Sequence, residues 1–289
     1  MRLVPVLALS LACAPPLPDP WAGERPGAFV RVATWNVHDL FDEEDRLVPP
    51  GAADEVLAPA EVEAKLDRLS AVLARLDADV VLLQEVENAA LLERLADRAG
   101  YPEARLLEGA DPRGIDVAAL SRLPVLAYLS HLGETDAEGG PLWSRDCVEL
   151  HVQAGGRRLV LVGSHLVSRI TDPDGDRRAE QAARMRAIAD EVALVRPDAV
   201  LLAGGDLNDE PESPALAPLL ADGAYRDAAA RLPPADAWTW SGHAGRARLD
   251  YLLVAGRDAG ALLAAAVLGG DDVAAASDHR PLAADLWVR

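Results

Sequence analysis

Short apolar runs of strand length recur along the whole chain, and stretches with helical periodicity separate several of them. Apolar residues repeat at helical spacing over residues 66–76 and again over residues 182–192, which predicts two amphipathic helices. Such helices bury their apolar stripe against another element, here a sheet. The pattern therefore predicts an α/β fold. The clearest strand candidates are residues 29–35, 80–84, 117–120, 159–163, 199–202, 249–254 and 282–287.

Length and charge limit both the domain organisation and the class of protein. Half of the 289 residues are hydrophobic, which suits one large domain with a sizeable core better than two small ones. The formal net charge of −19 repels nucleic acid in general, so a protein that coats DNA non-specifically is excluded. A nuclease is not excluded, because bound divalent cations would reverse the local field at its site.

The N-terminal residues are typical of a targeting segment. Arg2 is the lone positive charge ahead of an apolar stretch too short to span a bilayer, and a proline-rich stretch follows. We predict a signal peptide at residues 1–12 and a Pro-rich linker at residues 13–28. Cys13 follows a small residue, as in the cleavage boxes of bacterial lipoproteins. Export is predicted either way, as an envelope lipoprotein with a lipid anchor at Cys13 or as a secreted protein.

Polar residues stand where the apolar strands stop. Each could be unremarkable alone, as a turn residue, a helix cap or a solvated loop residue. Together, carboxylates, amides and imidazoles at several strand ends can converge on one edge of a sheet sandwich, where rigid elements hold them as catalysis requires. The residues in question are Asn36, Glu85, His165, Asp206, Asn208, Asp250, Asp278 and His279.

The blocks that contain these residues resemble, in sequence order, the signatures of the endonuclease/exonuclease/phosphatase superfamily. The resemblance implies a four-layer α-β-β-α sandwich of two packed mixed β-sheets, with the active site at one end. It extends over almost all of residues 29–289, which we assign as the catalytic domain. The blocks are Thr34-Trp35-Asn36-Val37, Leu83-Gln84-Glu85-Val86, Gly163-Ser164-His165-Leu166, Gly205-Asp206-Leu207-Asn208-Asp209, Arg248-Leu249-Asp250-Tyr251 and Ser277-Asp278-His279-Arg280-Pro281.

The resemblance implies a divalent cation, Mg²⁺ first and Mn²⁺ or Ca²⁺ as alternatives. Glu85 would hold it, Asn36 would add an oxygen nearby, and Asp278 would be a further ligand or a partner of one. Where several relatives have an acidic residue two positions after the first-strand Asn, this chain has His38. A neutral imidazole supplies no negative charge, so we expect one ion to suffice.

The resemblance also assigns the proton-transfer groups. His279 would take a proton from water, and Asp250 would orient it and stabilise its imidazolium form. Asp206 and Asn208 would place the water and a phosphate oxygen. His165 would donate to the phosphate as charge gathers in the transition state.

We therefore expect hydrolysis of P–O bonds in a phosphate ester, with DNA or RNA as the leading substrate. A phospholipid or sugar-phosphate phosphodiesterase or phosphatase is the alternative, and a non-catalytic envelope binding protein is the second. Nothing in the sequence implies a protein partner, and we expect a monomer. Substrate contacts or ordinary packing could explain the tryptophans of Trp238-Thr239-Trp240 and the Arg177-Arg178 pair.

Overall fold

The computed structural model describes residues 29–44, 56–243 and 245–288. The predicted signal peptide, the linker and Cys13 lie outside the described residues. None of the helices in the described part is long and apolar enough to cross a membrane. The helices are α1 (Pro59–Leu76), α2 (Ala89–Ala99), α3 (Asp176–Val195), α4 (Ala217–Leu220), α5 (Pro234–Ala237) and α6 (Asp271–Ala276), with 3-10 segments at Pro214–Leu216, Ala228–Arg231 and Gly256–Ala261.

The strands form two six-stranded mixed sheets and one small hairpin. The first sheet has the order β13-β14-β1-β2-β4-β3 and the second β5-β6-β7-β8-β12-β9, while β10 and β11 form the hairpin. The strands are β1 (Phe29–Leu40), β2 (Val80–Val86), β3 (Glu103–Leu106), β4 (Asp116–Ser121), β5 (Val125–Ser130), β6 (Cys147–Ala154), β7 (Arg157–His165), β8 (Val200–Asp206), β9 (Tyr225–Asp227), β10 (Trp240–Gly242), β11 (Gly245–Ala247), β12 (Asp250–Ala255), β13 (Leu262–Val267) and β14 (Leu282–Trp287).

Three apolar clusters stack the elements into four layers. Helices α1, α2 and α6 cover the outer face of the first sheet, and α3 covers the outer face of the second. The middle cluster lies between the sheets and takes alternate residues from both, such as Val32 and Leu82 from one and Leu161 and Leu202 from the other. The α-β-β-α sandwich predicted from the sequence is confirmed.

Each sheet contains one parallel pair that brings two strand ends to the same edge. Strand β1 runs parallel to β2, and β7 runs parallel to β8. In both pairs the chain returns through a covering helix, as a parallel crossover requires. The carboxyl ends of these four strands carry the polar residues singled out from the sequence.

Candidate active site

A row of three polar residues crosses the second sheet where its apolar interior ends. His165 on β7 is the register partner of Asp206 on β8, which is the partner of Asp250 on β12. All three continue the alternation that points Leu161 and Leu202 between the sheets. Their side chains are therefore held by strands rather than by loops.

Glycine allows the strands beneath this row to approach closely. Gly205 has φ +125°, and a Cβ there would lie 1.9 Å from the carbonyl oxygen of Ser164. A Cβ at Gly204 would lie 2.1 Å from the carbonyl oxygen of Tyr251. Larger residues would force β7, β8 and β12 apart and misplace Asp206.

The first sheet contributes Glu85 through a distortion at the end of β2. Asn36 pairs with Gln84 and Leu40 with Val86, so Glu85 falls in an irregularity of the ladder. Its φ is +66°, a conformation that is strained for a residue with a side chain. Bulges of this kind re-aim a side chain, and here the carboxylate reaches the edge where the two sheets meet.

Asn36 connects the two sheets through its side-chain amide. Its Nδ2 donates to Oε1 of Glu85 at 3.0 Å and to Oδ2 of Asp206 at 2.9 Å. Its Oδ1 accepts from the backbone N–H of His38 at 2.9 Å. The amide therefore fixes both carboxylates and the last residues of β1.

His279 lies between Asp250 and Asp206. Nδ1 of the imidazole is 2.8 Å from Oδ2 of Asp250, and Nε2 is 3.8 Å from Oδ2 of Asp206. All three residues are buried. Burial lowers the pKa of His279, but the charges of Asp250 and Asp206 outweigh it and raise the pKa to about 10. Burial and the charge of Asp250 raise the pKa of Asp206 to about 7.

Residues that the sequence analysis did not single out hold this group in place. The hydroxyl of Ser277 accepts from the backbone N–H of His279 and donates to the carbonyl of Asn36. The indole N–H of Trp35 donates to the carbonyl of His279, and the Thr239 hydroxyl accepts from the N–H of Asp250. Trp35 and Ser277 lie within the sequence blocks that resemble the superfamily signatures. Their position next to Asn36 and near His279 in the sequence could have identified them.

Arg145 is a second residue that the sequence analysis missed. Its NH1 lies 2.7 Å from Nε2 of His165, and its Nε lies 3.1 Å from Oδ2 of Asp111. Burial and the charge of Arg145 hold the pKa of His165 well below its usual range, so the ring is neutral. Since the guanidinium donates to Nε2, the proton of His165 is on Nδ1. No sequence motif marks Arg145, which precedes β6 in a loop.

A second acidic group surrounds Glu85. Ligand atoms of His38, Asp39 and Glu85 all lie within 4.8 Å of one another. Burial raises the pKa of Glu85, but hydrogen bonds from Asn36 and Asp39 outweigh it and lower the pKa. Burial and repulsion by Glu85 raise the pKa of Asp39 to about 6.

The charges around Glu85 favour a cation. Arg113 already places a guanidinium nitrogen 3.1 Å from Oδ1 of Asp39 and another 3.8 Å from Oε1 of Glu85. The carboxylates of Asp39 and Glu85 repel each other and attract this exposed arginine. A hard divalent cation prefers oxygen ligands of this kind, and its charge would relieve the repulsion.

The other predicted residues lie at the rim of the site. Asp278 is engaged on both carboxylate oxygens, with Nδ1 of His38 at 3.1 Å and Nε1 of Trp240 at 2.9 Å. Asn208 has φ +56°, and its Nδ2 donates to the carbonyl of Leu166 at 2.9 Å. Its backbone N–H donates to Oδ1 of Asp206, so it steadies that carboxylate.

The two arginines of the Arg177-Arg178 pair have separate structural contacts. Arg178 is buried and its Nε donates to Asp209 at 3.0 Å, while Arg177 donates to the carbonyl of Pro141. The ring of Trp238 contacts the guanidiniums of Arg246 and Arg280, whose Cζ atoms lie 4.3 and 4.1 Å from its centroid.

Known structures share this fold across most of the chain. D. rerio TDP2 complexed with a single-strand DNA product has a TM-score of 0.65 at 20% identity, and the match covers 89% of this chain and 98% of that chain. The human Nocturnin catalytic domain with bound sulfate has a TM-score of 0.66 at 16% identity, with coverage of 89% and 94%.

A bacterial endonuclease/exonuclease/phosphatase, from Beutenbergia cavernae, has a TM-score of 0.66 at 22% identity, with coverage of 90% and 72%. Among curated protein sequences, none matches this chain significantly. The structural similarities establish the fold. The model of the Endonuclease/Exonuclease/phosphatase family matches residues 33–279, a span that begins in β1 and ends at the buried imidazole beside Asp250, and the chain therefore belongs to that family.

Proposed function

We propose that this chain is a metal-dependent phosphodiesterase that is exported and acts on nucleic acid. Enzymes of the family are phosphoesterase hydrolases that use divalent metals. The observation that carries the proposal is the Asp250–His279–Asp206 group, buried beside the acidic group at Glu85. A binding protein that had lost catalysis would have no need of a buried imidazole held between two carboxylates.

Glu85 and Asp39 would hold the cation, with Asn36 and His38 at its side. Bound there, Mg²⁺ would neutralise charge on the phosphate oxygens. The positive charge would also lower the pKa of His279, whose imidazolium already interacts with Glu85. The general-base role of His279 requires this shift to bring its pKa down to the working pH.

The chain's own residues then divide the work. Nε2 of His279 accepts the proton of a water that Oδ2 of Asp206 also orients, while Asp250 steadies the imidazolium that forms. Arg145, fixed by Asp111 and His165, donates to a phosphoryl oxygen as negative charge develops. Since the donor groups are rigid before substrate arrives, little reorganisation opposes the reaction.

Nucleic acid leads the substrate proposal because a D. rerio relative of the same fold holds a single-strand DNA product. The test is a panel of single-stranded DNA, RNA, sphingomyelin and inositol phosphates, each assayed with Mg²⁺ and with EDTA. Preferential cleavage of sphingomyelin or an inositol phosphate would assign one of the alternative activities. Binding without turnover of any ester, in protein shown to be folded, would favour the non-catalytic binding protein.

Export is proposed from the sequence of residues 1–28, with Cys13 as the lipid attachment point. Labelled palmitate should enter the expressed protein and be lost in Cys13→Ala. Labelling that persists in the variant would contradict the anchor. Recovery of both the wild-type protein and the Cys13→Ala variant in the culture medium would indicate secretion without an anchor.

A further inference from the structure

A cavity of about 1100 Å³ opens beside the candidate active site. His38 and Asp278 line it, and these two side chains are in contact at 3.1 Å. The same His38 belongs to the acidic group at Glu85, and Asp278 directly precedes His279. The His38–Asp278 pair therefore lies between the cavity and the reacting groups.

The cavity combines an apolar floor with a positively charged wall. Leu232, Ala265 and Leu268 contribute to the floor. Arg246 and Arg280 form the wall, and the guanidinium of each lies against the ring of Trp238. A pocket of this size and lining is of the kind that holds a small organic ligand with a few polar contacts.

The two arginines of the wall differ in how they are held. Arg280 is fixed by three backbone carbonyls, those of Trp238, Val267 and Leu268. Arg246 is exposed on β11, and its guanidinium lies against the ring of Trp238. In the part of the chain that the structure describes, neither guanidinium lies within ion-pair distance of a carboxylate, but Asp236, which also lines the cavity, attracts Arg280 electrostatically. In a chain of net charge −19, two neighbouring guanidiniums with only Asp236 to offset their charge leave a local excess of positive charge that suits an anion.

Lys65 adds a positive charge at the boundary with the reacting groups. Its Nζ donates to the carbonyls of His38 and Ala276 at 2.9 and 2.7 Å. Lys65 at the boundary and the two arginines of the wall therefore place positive charge at separate points of the cavity, whose lining also includes Asp236, Asp271 and Asp278.

We infer that this cavity binds one nucleotide arm of a phosphodiester substrate, with a second phosphate on Arg246 and Arg280. The inference rests on the proposed function and makes it more specific. The apolar floor suits a sugar and base, and the guanidinium wall suits a phosphate one linkage away from the scissile group. A phosphodiester with no second phosphate would leave the wall unused.

The test compares two substrates that differ in that second phosphate. Bis-p-nitrophenyl phosphate has one phosphate, whereas tetrathymidylate has several. Arg246→Glu should lower kcat/KM for tetrathymidylate about tenfold more than for bis-p-nitrophenyl phosphate, the size of one charged hydrogen bond. The slope of log kcat/KM for tetrathymidylate against log salt should become less steep by about 0.7, as for the loss of one phosphate contact on a single strand.

Arg226→Glu is the matched control. Arg226 is also exposed, lies on edge strand β9 and does not line the cavity, so the same change of charge there should alter neither the ratio nor the slope. Equal effects of the two substitutions, or a parallel loss on both substrates in Arg246→Glu, would overturn the inference.

Direct binding separates failure of the inference from failure of the proposed function. In EDTA, calorimetry should show tighter binding of thymidine 3′,5′-bisphosphate than of thymidine 5′-monophosphate, and Arg246→Glu should remove most of that preference. Absence of the preference in the wild-type protein would contradict the nucleotide site even if both esters are hydrolysed. A preference that depends on Arg246, in protein that hydrolyses neither ester, would support the site and refute the hydrolase.

Discussion

Nδ1 of His279 lies 2.8 Å from Oδ2 of Asp250, and the two residues lie on segments that lead into different sheets. Asp250 begins β12 in the second sheet, and His279 directly precedes the turn into β14 of the first. The contact joins the sheets at the edge where the polar residues gather. Because it is buried, either partner left alone would be an uncompensated polar or charged group.

The first prediction is that His279 and Asp250 act as one unit in catalysis. General-base action by a positioned histidine contributes roughly 10²–10⁴-fold, so His279→Ala and Asp250→Asn should each cost at least 10²-fold in kcat/KM. The double variant should be little worse than His279→Ala, because both changes disable the same proton transfer. A double-mutant cycle at saturating Mg²⁺, with folding checked by circular dichroism, measures this. Multiplicative losses would show that the residues act independently.

The second prediction concerns the protonation of His279 itself. The pKa of about 10 in the metal-free site depends on the charges of Asp250 and Asp206, which overcome burial. Asp250→Asn should therefore move the pKa down by more than one unit, since the burial penalty remains and the main charge is gone. NMR titration of the His279 ring in EDTA, in wild type and variant, gives both values. An unchanged pKa would mean that Asp250 does not charge-stabilise the ring.

The third prediction is that Glu85 controls cation affinity. Glu85→Gln preserves size and removes the charge, so calorimetry should show Mn²⁺ or Mg²⁺ binding weakened at least tenfold, and the rate should fall by orders of magnitude. Glu93→Gln is the control, because Glu93 is an exposed carboxylate on α2. Full activity of the wild-type protein in excess EDTA would remove the metal requirement.

The fourth prediction concerns Arg145, whose guanidinium reaches His165 at 2.7 Å. Arg145→Lys keeps the charge but loses the planar contact with His165 and Asp111. A donor aimed at charge in the transition state typically contributes 10²–10³-fold, so kcat should fall by about 10² with KM nearly constant. Steady-state kinetics measure this, with Arg226→Lys, at an exposed arginine on edge strand β9, compared in parallel. A rise in KM with kcat intact would place Arg145 in ground-state binding instead.

The main strands and helices could be predicted from the sequence. The strand candidates correspond to β1, β2, β4, β7, β8, β12 and β14, and the two helical stripes lie in α1 and α3. These segments are buried on at least one face, so their hydrophobic pattern is strong. Residues at their ends therefore meet as expected, as Asn36, Glu85 and Asp206 do.

The features missed have weak or misleading local patterns. Strand β5 is an edge strand whose Leu126 and Leu129 are exposed by 43% and 48%, so its apolar residues do not indicate a buried face. The positive φ of Glu85 follows from the ladder irregularity, which no local residue preference signals. Arg145 meets His165 across 20 residues of chain, a contact set by tertiary packing rather than by local sequence.

The last prediction concerns the stability of the folded chain around His131, remote in sequence from the catalytic blocks. Its Nδ1 lies 3.1 Å from Oε1 of Glu134, and its Nε2 lies 2.9 Å from Oε1 of Glu149. The hydrogen bond to Glu149 raises the pKa of His131 above its usual value, outweighing partial burial, and Glu134 adds to the effect. A group whose pKa is higher in the folded state stabilises the protein fully below its unfolded pKa, near 6.5. That stabilisation is lost as pH rises through the folded value.

His131→Asn should consequently destabilise the protein most at about pH 6, by on the order of 1 kcal/mol, and progressively less toward pH 9. Other histidines also titrate in this range, so the informative quantity is the difference in free energy of unfolding between wild type and variant. Urea denaturation at several pH values gives that difference. A pH-independent difference would mean that His131 contributes through packing alone. A difference that grows with pH would mean that folding lowers the pKa of His131 instead of raising it.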